Sequence, residues 1–255
     1  MKTLFISIIS FFLFFLSSPK SLHNNIDFSR KNPDSTLISI PFPIKFGKVS
    51  DEYFLEKSTK VDSFYNAFIG TAGFSGSFIV AKNGKIISEK YQGFANQRTK
   101  ELITVNTPLH LASVSKVLTA TAILRLVESD NIMLDQKVTD WLPSFPYKST
   151  TIRTLLNHRS GLQHYSRFPA LLKTGWNKKK ILTNQDVLDL MAKHKFRLLT
   201  PHDTRFDYCN TNYIILALII EKATGLKYEK AMNELIFKPL GMKNTFVFDY
   251  FRDKD

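Results

Sequence analysis

The chain of 255 residues is short of several things, and each shortage excludes a class of protein. It has one cysteine, Cys209, so no intramolecular disulfide can form and stability must come from packing. Its longest apolar run, Leu4 to Leu16, is shorter than the ~20 residues that span a bilayer. The six histidines, His23, His110, His158, His164, His194 and His202, lack metal-ligand spacing, which argues against a zinc hydrolase. No internal repeat or low-complexity tract breaks the sequence. Acidic residues number 22 against 35 Lys and Arg, giving a net charge of +13 that favours anionic partners. There is neither a basic helix with interleaved aromatics nor a nucleic-acid module, so nucleic acid is not an expected partner, and the Lys178–Lys180 run reads as a solvated loop.

What is present suits one globular domain with a real core: 44% of residues are hydrophobic and 13% aromatic. Residues 1–18 differ in kind. Lys2, the run Leu4–Leu16 and the exit Ser17-Ser18-Pro19 have the layout of a secretory signal peptide, so the protein is expected to be exported, periplasmic or extracellular. It would be membrane-anchored only if that segment is retained. Residues 19–60 read as a leader or linker, and the domain is expected over 61–255.

Val61, Phe64, Tyr65 and Phe68 have helical spacing and predict a first helix over Val61–Ile69. The runs Phe74–Ala81 and Lys85–Tyr91 flank Lys82-Asn83-Gly84, and an Asn-Gly pair between β-rich runs predicts a hairpin. Thr150 or Thr151 is expected to cap a short helix through Leu156. Thr183 and Asp186 have the spacing of a capping box before a helix to about Lys193. Thr211–Thr224 predicts an apolar helix stopped by Gly225, and Tyr228–Phe237 a further amphipathic one.

The stretch Leu111–Val127 is the candidate for chemistry. Ser113 and Lys116 stand three residues apart at the start of an apolar helix, so hydroxyl and amine share a face. Val117, Ala120, Leu124 and Val127 recur at three and four residues and are expected to face the core. A serine hydroxyl becomes a useful nucleophile when a neighbouring base takes its proton. Ser115 points away from Lys116 and reads as structural, as does Cys209.

Four motifs then occur in order: Ser113-Val114-Ser115-Lys116, Leu155-Leu156-Asn157-His158-Arg159-Ser160-Gly161-Leu162, Tyr208-Cys209-Asn210-Thr211-Asn212-Tyr213 and Lys238-Pro239-Leu240-Gly241-Met242. Across about residues 70–248 the chain resembles the serine β-lactamase-related family, which groups class C β-lactamases, D-alanyl-D-alanine carboxypeptidases, esterases and aminopeptidases. The resemblance implies an α/β (α+β) fold of the β-lactamase and transpeptidase type, an antiparallel sheet flanked by a mainly helical region. It implies Ser113 as nucleophile, Lys116 and Tyr208 in proton transfer, and Asn210 on the lysine or the substrate amide, with no metal and no cofactor. The Ser113 amide would be one oxyanion-hole donor. His158, Ser160 and Gly161 match a structural turn of the family.

The family's third box, Lys-Thr-Gly or His-x-Gly, lies on a strand after the Tyr-x-Asn motif. Here Lys173-Thr174-Gly175 spells it, but ahead of Tyr208 and in a lysine-rich segment, so it is read as coincidence. The domain is therefore expected to lack C-terminal strands and to retain a two-stranded remnant of the sheet. Two readings follow. One is an exported serine hydrolase acting through a Ser113 acyl-enzyme on an amide, ester or β-lactam bond of a small-molecule or peptidoglycan-derived substrate. The other is a shortened, catalytically inactive member that serves as a binding module or has no function.

Overall fold

Asn83 and Gly84 both take left-handed backbone angles, φ 50° and 76°, the pair of positive values that a two-residue hairpin turn requires. They join β1 (Gly76–Lys82) to β2 (Lys85–Gln92) as an antiparallel pair, in register from Gly76 opposite Gln92 to a bulge at Val80/Ala81. This is the hairpin expected from the sequence, in a computed structural model that describes residues 46–71, 73–172 and 181–249. The segments 1–18, 19–45 and Lys173-Thr174-Gly175, on which the expected signal peptide, most of the leader and the displaced box fall, lie outside the described residues. A second small antiparallel pair follows, β3 (Phe94–Asn96) with β4 (Glu101–Leu102), which the sequence did not announce.

The first helix, α1, spans Asp51–Phe64 and continues as a wider π-type turn over Tyr65–Ile69. It starts well before the expected Val61 because Ser50 caps it, its side chain accepting from the Tyr53 amide at 3.2 Å. Of the four residues whose spacing predicted the helix, only Tyr65 is buried, while Phe64 and Phe68 are exposed. The helix is tied to β2 by polar contacts: Ser88 Oγ donates to Asp62 Oδ1 at 2.6 Å, Lys90 pairs with Asp62 at 3.0 Å, and Tyr65 OH donates to Gln92 Oε1 at 2.8 Å.

The rest is helical: α2 (Ser115–Glu128), α3 (Val138–Trp141), α4 (Ile152–Leu156), α5 (Phe168–Leu171), α6 (Asn184–His194), α7 (Asn210–Thr224) and α8 (Tyr228–Met232), the last running into a π-type turn at Asn233–Phe237. The expected capping box forms between Thr183 and Asp186, and the cap expected at Thr150 or Thr151 is Thr151, in a capping box with Thr154; each box satisfies two amides that a helix start leaves open. Helix α7 ends where Gly225 turns left-handed at φ 69°.

Helix α7 is the axis of the core. It buries Ile215, Leu216, Ile219 and Ile220 and packs against α2, α4, α6 and α8. Each such side chain taken from water contributes about 1.5–3 kcal/mol. Helix α2 packs against α7 and α8 and buries Thr119, Ala122, Ile123 and Leu126. That corrects the expected face, since Val117 is 64% and Leu124 43% exposed and Ala120 and Val127 are half-buried. Apolar residues surround α2, so two stripes share the same three-and-four spacing, and the crossing on α7 selects between them.

Among the described residues, no helix is long and apolar enough to cross a membrane. The α/β class is seen as two small antiparallel sheets beside a mainly helical body.

Candidate active site

Ser113 sits in a 3₁₀ turn, Ala112–Val114, that leads directly into α2. The expected helix therefore begins two residues later than the nucleophile, at Ser115. The turn is entered through Ala112 at φ 46°, a left-handed angle that costs a non-glycine residue roughly 1–2 kcal/mol. Strain of this kind concentrates where a side chain has to be presented at a fixed angle. Here it presents the Ser113 hydroxyl to solvent just ahead of the positive end of a 14-residue helix, a favourable place for a developing oxyanion.

Two side chains converge on that hydroxyl. Lys116 Nζ donates to Ser113 Oγ at 3.2 Å, and Tyr208 OH donates to it at 2.7 Å from 95 residues along the chain. The ammonium also lies over the Tyr208 ring, 5.0 Å from its centroid, and 5.7 Å from that of Tyr213. Lys116 and Ser113 together hold the Tyr208 phenol below its ordinary value, Lys116 having the larger effect. The arrangement can thus take the hydroxyl's proton onto the phenol oxygen, with the lysine as a fixed positive charge or relay.

Asn210 is the first residue of α7, with Cys209 at the cap position. Its Oδ1 is buried and has no hydrogen-bond partner, and no bond between Asn210 and Lys116 forms in the structure. Both instead line a cavity of about 360 Å³ with Ala112, Ser115, Thr119, Tyr165, Leu182, Tyr213 and Tyr228 among its walls. A buried acceptor left open costs ~1–3 kcal/mol, which a ligand N–H in that cavity would recover. A second cavity, about 230 Å³, is lined by Tyr208 together with His164, Arg167 and Asp207 among others.

Sequence reasoning missed the support beneath Tyr208. His158, buried and at φ 57°, accepts the Cys209 amide at Nδ1 over 3.2 Å and lies 3.2 Å from Asn212 Nδ2. Ser160 Oγ donates to Asn212 Oδ1 at 2.6 Å. The signal lay in Asn212, quoted within its motif but given no task. Cys209 itself is buried among apolar groups, which pushes its thiol up and makes it a poor nucleophile.

A family model described as Beta-lactamase matches residues 63–252. The chain is 37% identical over 176 residues to penicillin-binding protein 4* of Bacillus subtilis, covering 69% of this chain and 38% of that protein. It is 32% identical over 183 residues to the D-aminopeptidase of Brucella anthropi, covering 69% of this chain and 34% of the enzyme. Among solved structures it resembles the octameric penicillin-binding protein homologue from Pyrococcus abyssi, with 28% identity and a TM-score of 0.63 over 77% of this chain and 46% of that one. A penicillin-binding protein from Bacillus halodurans gives 26% and 0.61, over 76% of this chain and 58% of that one. The chain thus spans about a third of the length of the curated relatives it matches, 38% and 34% in the two cases above.

Proposed function

Because the chain belongs to the beta-lactamase family, over residues 63–252, we propose that it is a serine hydrolase that forms an acyl-enzyme on Ser113. The observation that carries the reading is the convergence of Lys116 and Tyr208 on one hydroxyl, at 3.2 and 2.7 Å. In the step proposed, Tyr208 acts as the phenolate that the Lys116 charge favours: Ser113 Oγ attacks the carbonyl of the substrate as its proton passes to the phenolate oxygen, and the Oγ–C bond forms. The tetrahedral oxyanion collapses, the bond to the leaving group breaks, and Tyr208 returns the proton to that group. Water then hydrolyses the ester by the same relay in reverse. The Ser113 amide supplies one oxyanion donor.

The open Asn210 Oδ1 favours a substrate with an amide N–H beside the scissile carbonyl, since an ester oxygen has no proton to give it. D-amino acid peptides, their amides and acylamino-lactams carry that group, and relatives named penicillin-binding protein and D-aminopeptidase are consistent with it. We also take the substrate to be a small or peptidoglycan-derived molecule met after export, on the strength of the N-terminal pattern; N-terminal sequencing of exported protein tests the latter.

The activity test is intact-mass analysis of the protein after incubation with a fluorophosphonate and, separately, a penicillin. The expected result is one adduct per chain, absent from Ser113→Ala. No adduct on folded protein would overturn the enzymatic reading and leave the inactive binding module.

A further inference from the structure

The groups around His158 form a hydrogen-bond chain whose direction is set by the Cys209 amide. The Leu162 amide donates to Ser160 Oγ at 3.2 Å, Ser160 Oγ donates to Asn212 Oδ1, and Asn212 Nδ2 then faces His158 Nδ1. From the other side the Cys209 amide donates to the same Nδ1. A backbone N–H can only donate, so Nδ1 has to be an acceptor, and the imidazole proton resides on Nε2. The ring held in this way is the surface on which the site rests: Tyr208 lies against it with centroids 4.6 Å apart, and Tyr213 at 5.2 Å. The amide it grips belongs to the residue next to Tyr208.

We propose that His158 is the positioning residue of this site, its unprotonated Nδ1 holding the Tyr208 phenol on Ser113, so that protonation of His158 uncouples Tyr208 and silences the nucleophile. The catalytic part of this inference rests on the serine-hydrolase reading; the coupling of His158 to Tyr208 does not. A proton on Nδ1 would point N–H at N–H toward the Cys209 amide, which can only donate and would have to withdraw, while the Asn212 side chain would have to withdraw or turn its Oδ1 to the ring. Among the described residues, the groups facing His158 offer no carboxylate side chain to balance the new charge. Lys116 comes from α2, Tyr208, the Cys209 amide and the Phe206 ring from the preceding loop, and Asn212 and Tyr213 from α7. Asp207 contributes its amide, donated to the His158 carbonyl at 2.7 Å, and the adjacent Arg159 is engaged by Asp203 at 2.6 Å. Burial, followed by the Lys116 charge, holds the imidazole below its ordinary value, so the site stays intact at neutral pH.

Two measurements test this. The first uses the full-length protein by NMR and needs no activity: the His158 Cε1–H signal is titrated with acid while the Tyr208 ring signals are followed. Coupling predicts that both move with one midpoint below 6.5, in wild type and in Ser113→Ala alike. Tyr208 signals indifferent to His158 protonation would overturn the proposal even if Ser113 is fully reactive. The second compares fluorophosphonate labelling rates across pH. His158→Asn keeps an acceptor near the Nδ1 position and cannot titrate. It is expected to label within about threefold of wild type at neutral pH and to lose the wild-type acid inflection. His158→Leu, which keeps the volume and loses the acceptor, should label at least ~10-fold more slowly at every pH, since small misplacements of reacting groups cost rate steeply. An unchanged acid inflection in His158→Asn, or wild-type labelling in His158→Leu, refutes the proposal. Absence of labelling in wild type refutes the serine-hydrolase reading instead, and the NMR result then decides the coupling alone.

Discussion

Replacing Gly161 by alanine measures how tightly the turn that carries His158 is clamped. Gly161 sits at φ 73°, and a Cβ built there meets the Thr200 carbonyl oxygen at 2.2 Å and Thr200 Oγ1 at 3.1 Å. The Leu199 amide donates to the Gly161 carbonyl at 2.8 Å, so the two segments cannot part without breaking that bond. Gly225 is the matched control, because it has nearly the same angle, φ 69°, and a Cβ there meets nothing within 4 Å. Both substitutions incur the left-handed strain of about 1–2 kcal/mol. Gly161→Ala adds overpacking of about 1–3 kcal/mol and the loss of a hydrogen bond of about 1 kcal/mol. The gap between the two variants is therefore about 2–4 kcal/mol. With a urea slope of about 2 kcal/mol per molar, the Gly161→Ala midpoint should fall about 1–2 M below that of Gly225→Ala. The assay is urea unfolding followed by far-ultraviolet circular dichroism, with equal slopes as the check on a common transition. Midpoints within about 0.3 M of one another would refute the clamp, since the two sites share a backbone angle and differ in the Thr200 contact and in the Leu199 hydrogen bond that the clash would break.

Three further outcomes follow from the geometry. Tyr208→Phe removes the group proposed to take the Ser113 proton and should slow labelling by roughly 10²–10⁴-fold. It should also abolish the rise in rate expected below the ordinary phenol value of 10.0 in wild type, which pH profiles of labelling would detect. Thr183→Ala deletes one half of the α6 capping box and should cost about 1 kcal/mol in thermal or urea unfolding. Stability should fall on acidification between about 6.5, where an unfolded imidazole takes up a proton, and the lower value of folded His158. The unfolded chain binds the extra proton in that window, so the slope with pH is positive, and His158→Asn should reduce it in calorimetric melts, leaving the part due to His164, which burial also holds below its ordinary value.

How much of this could be read from the sequence depended on the range of the interactions. The Asn83-Gly84 turn and the Thr183–Asp186 cap are settled within four residues, and both form as expected. Ser113 and Lys116 are also local, and the structure brings them to 3.2 Å. Tyr208 reaches them across 95 residues, a separation that no periodicity encodes, and only resemblance to a family pointed there. The exposed stripe of α2 went unread because a helix apolar on every side does not say which side a neighbour will cover. His158, Ser160, Cys209 and Asn212 stayed separate in the sequence because their partnership exists only once α7 starts beside the turn after α4.

Among the described residues, the central apolar cluster draws every member, buried or half-buried, from Leu118 onward. The hairpin β1–β2 is gripped instead by α1, through Asp62, Tyr65 and the Phe78 ring that lies 5.2 Å from Tyr65. Such a division predicts two foldons of unequal strength, which native-state amide exchange would separate as faster exchange in β1–β2 than in α7. The N-terminal one can open, exchange its amides and be nicked by a protease while Ser113, Lys116 and Tyr208 keep their spacing. Evolution can then rewrite the hairpin, so long as the grips on α1 survive, without touching the chemistry, and drift between related chains should concentrate there.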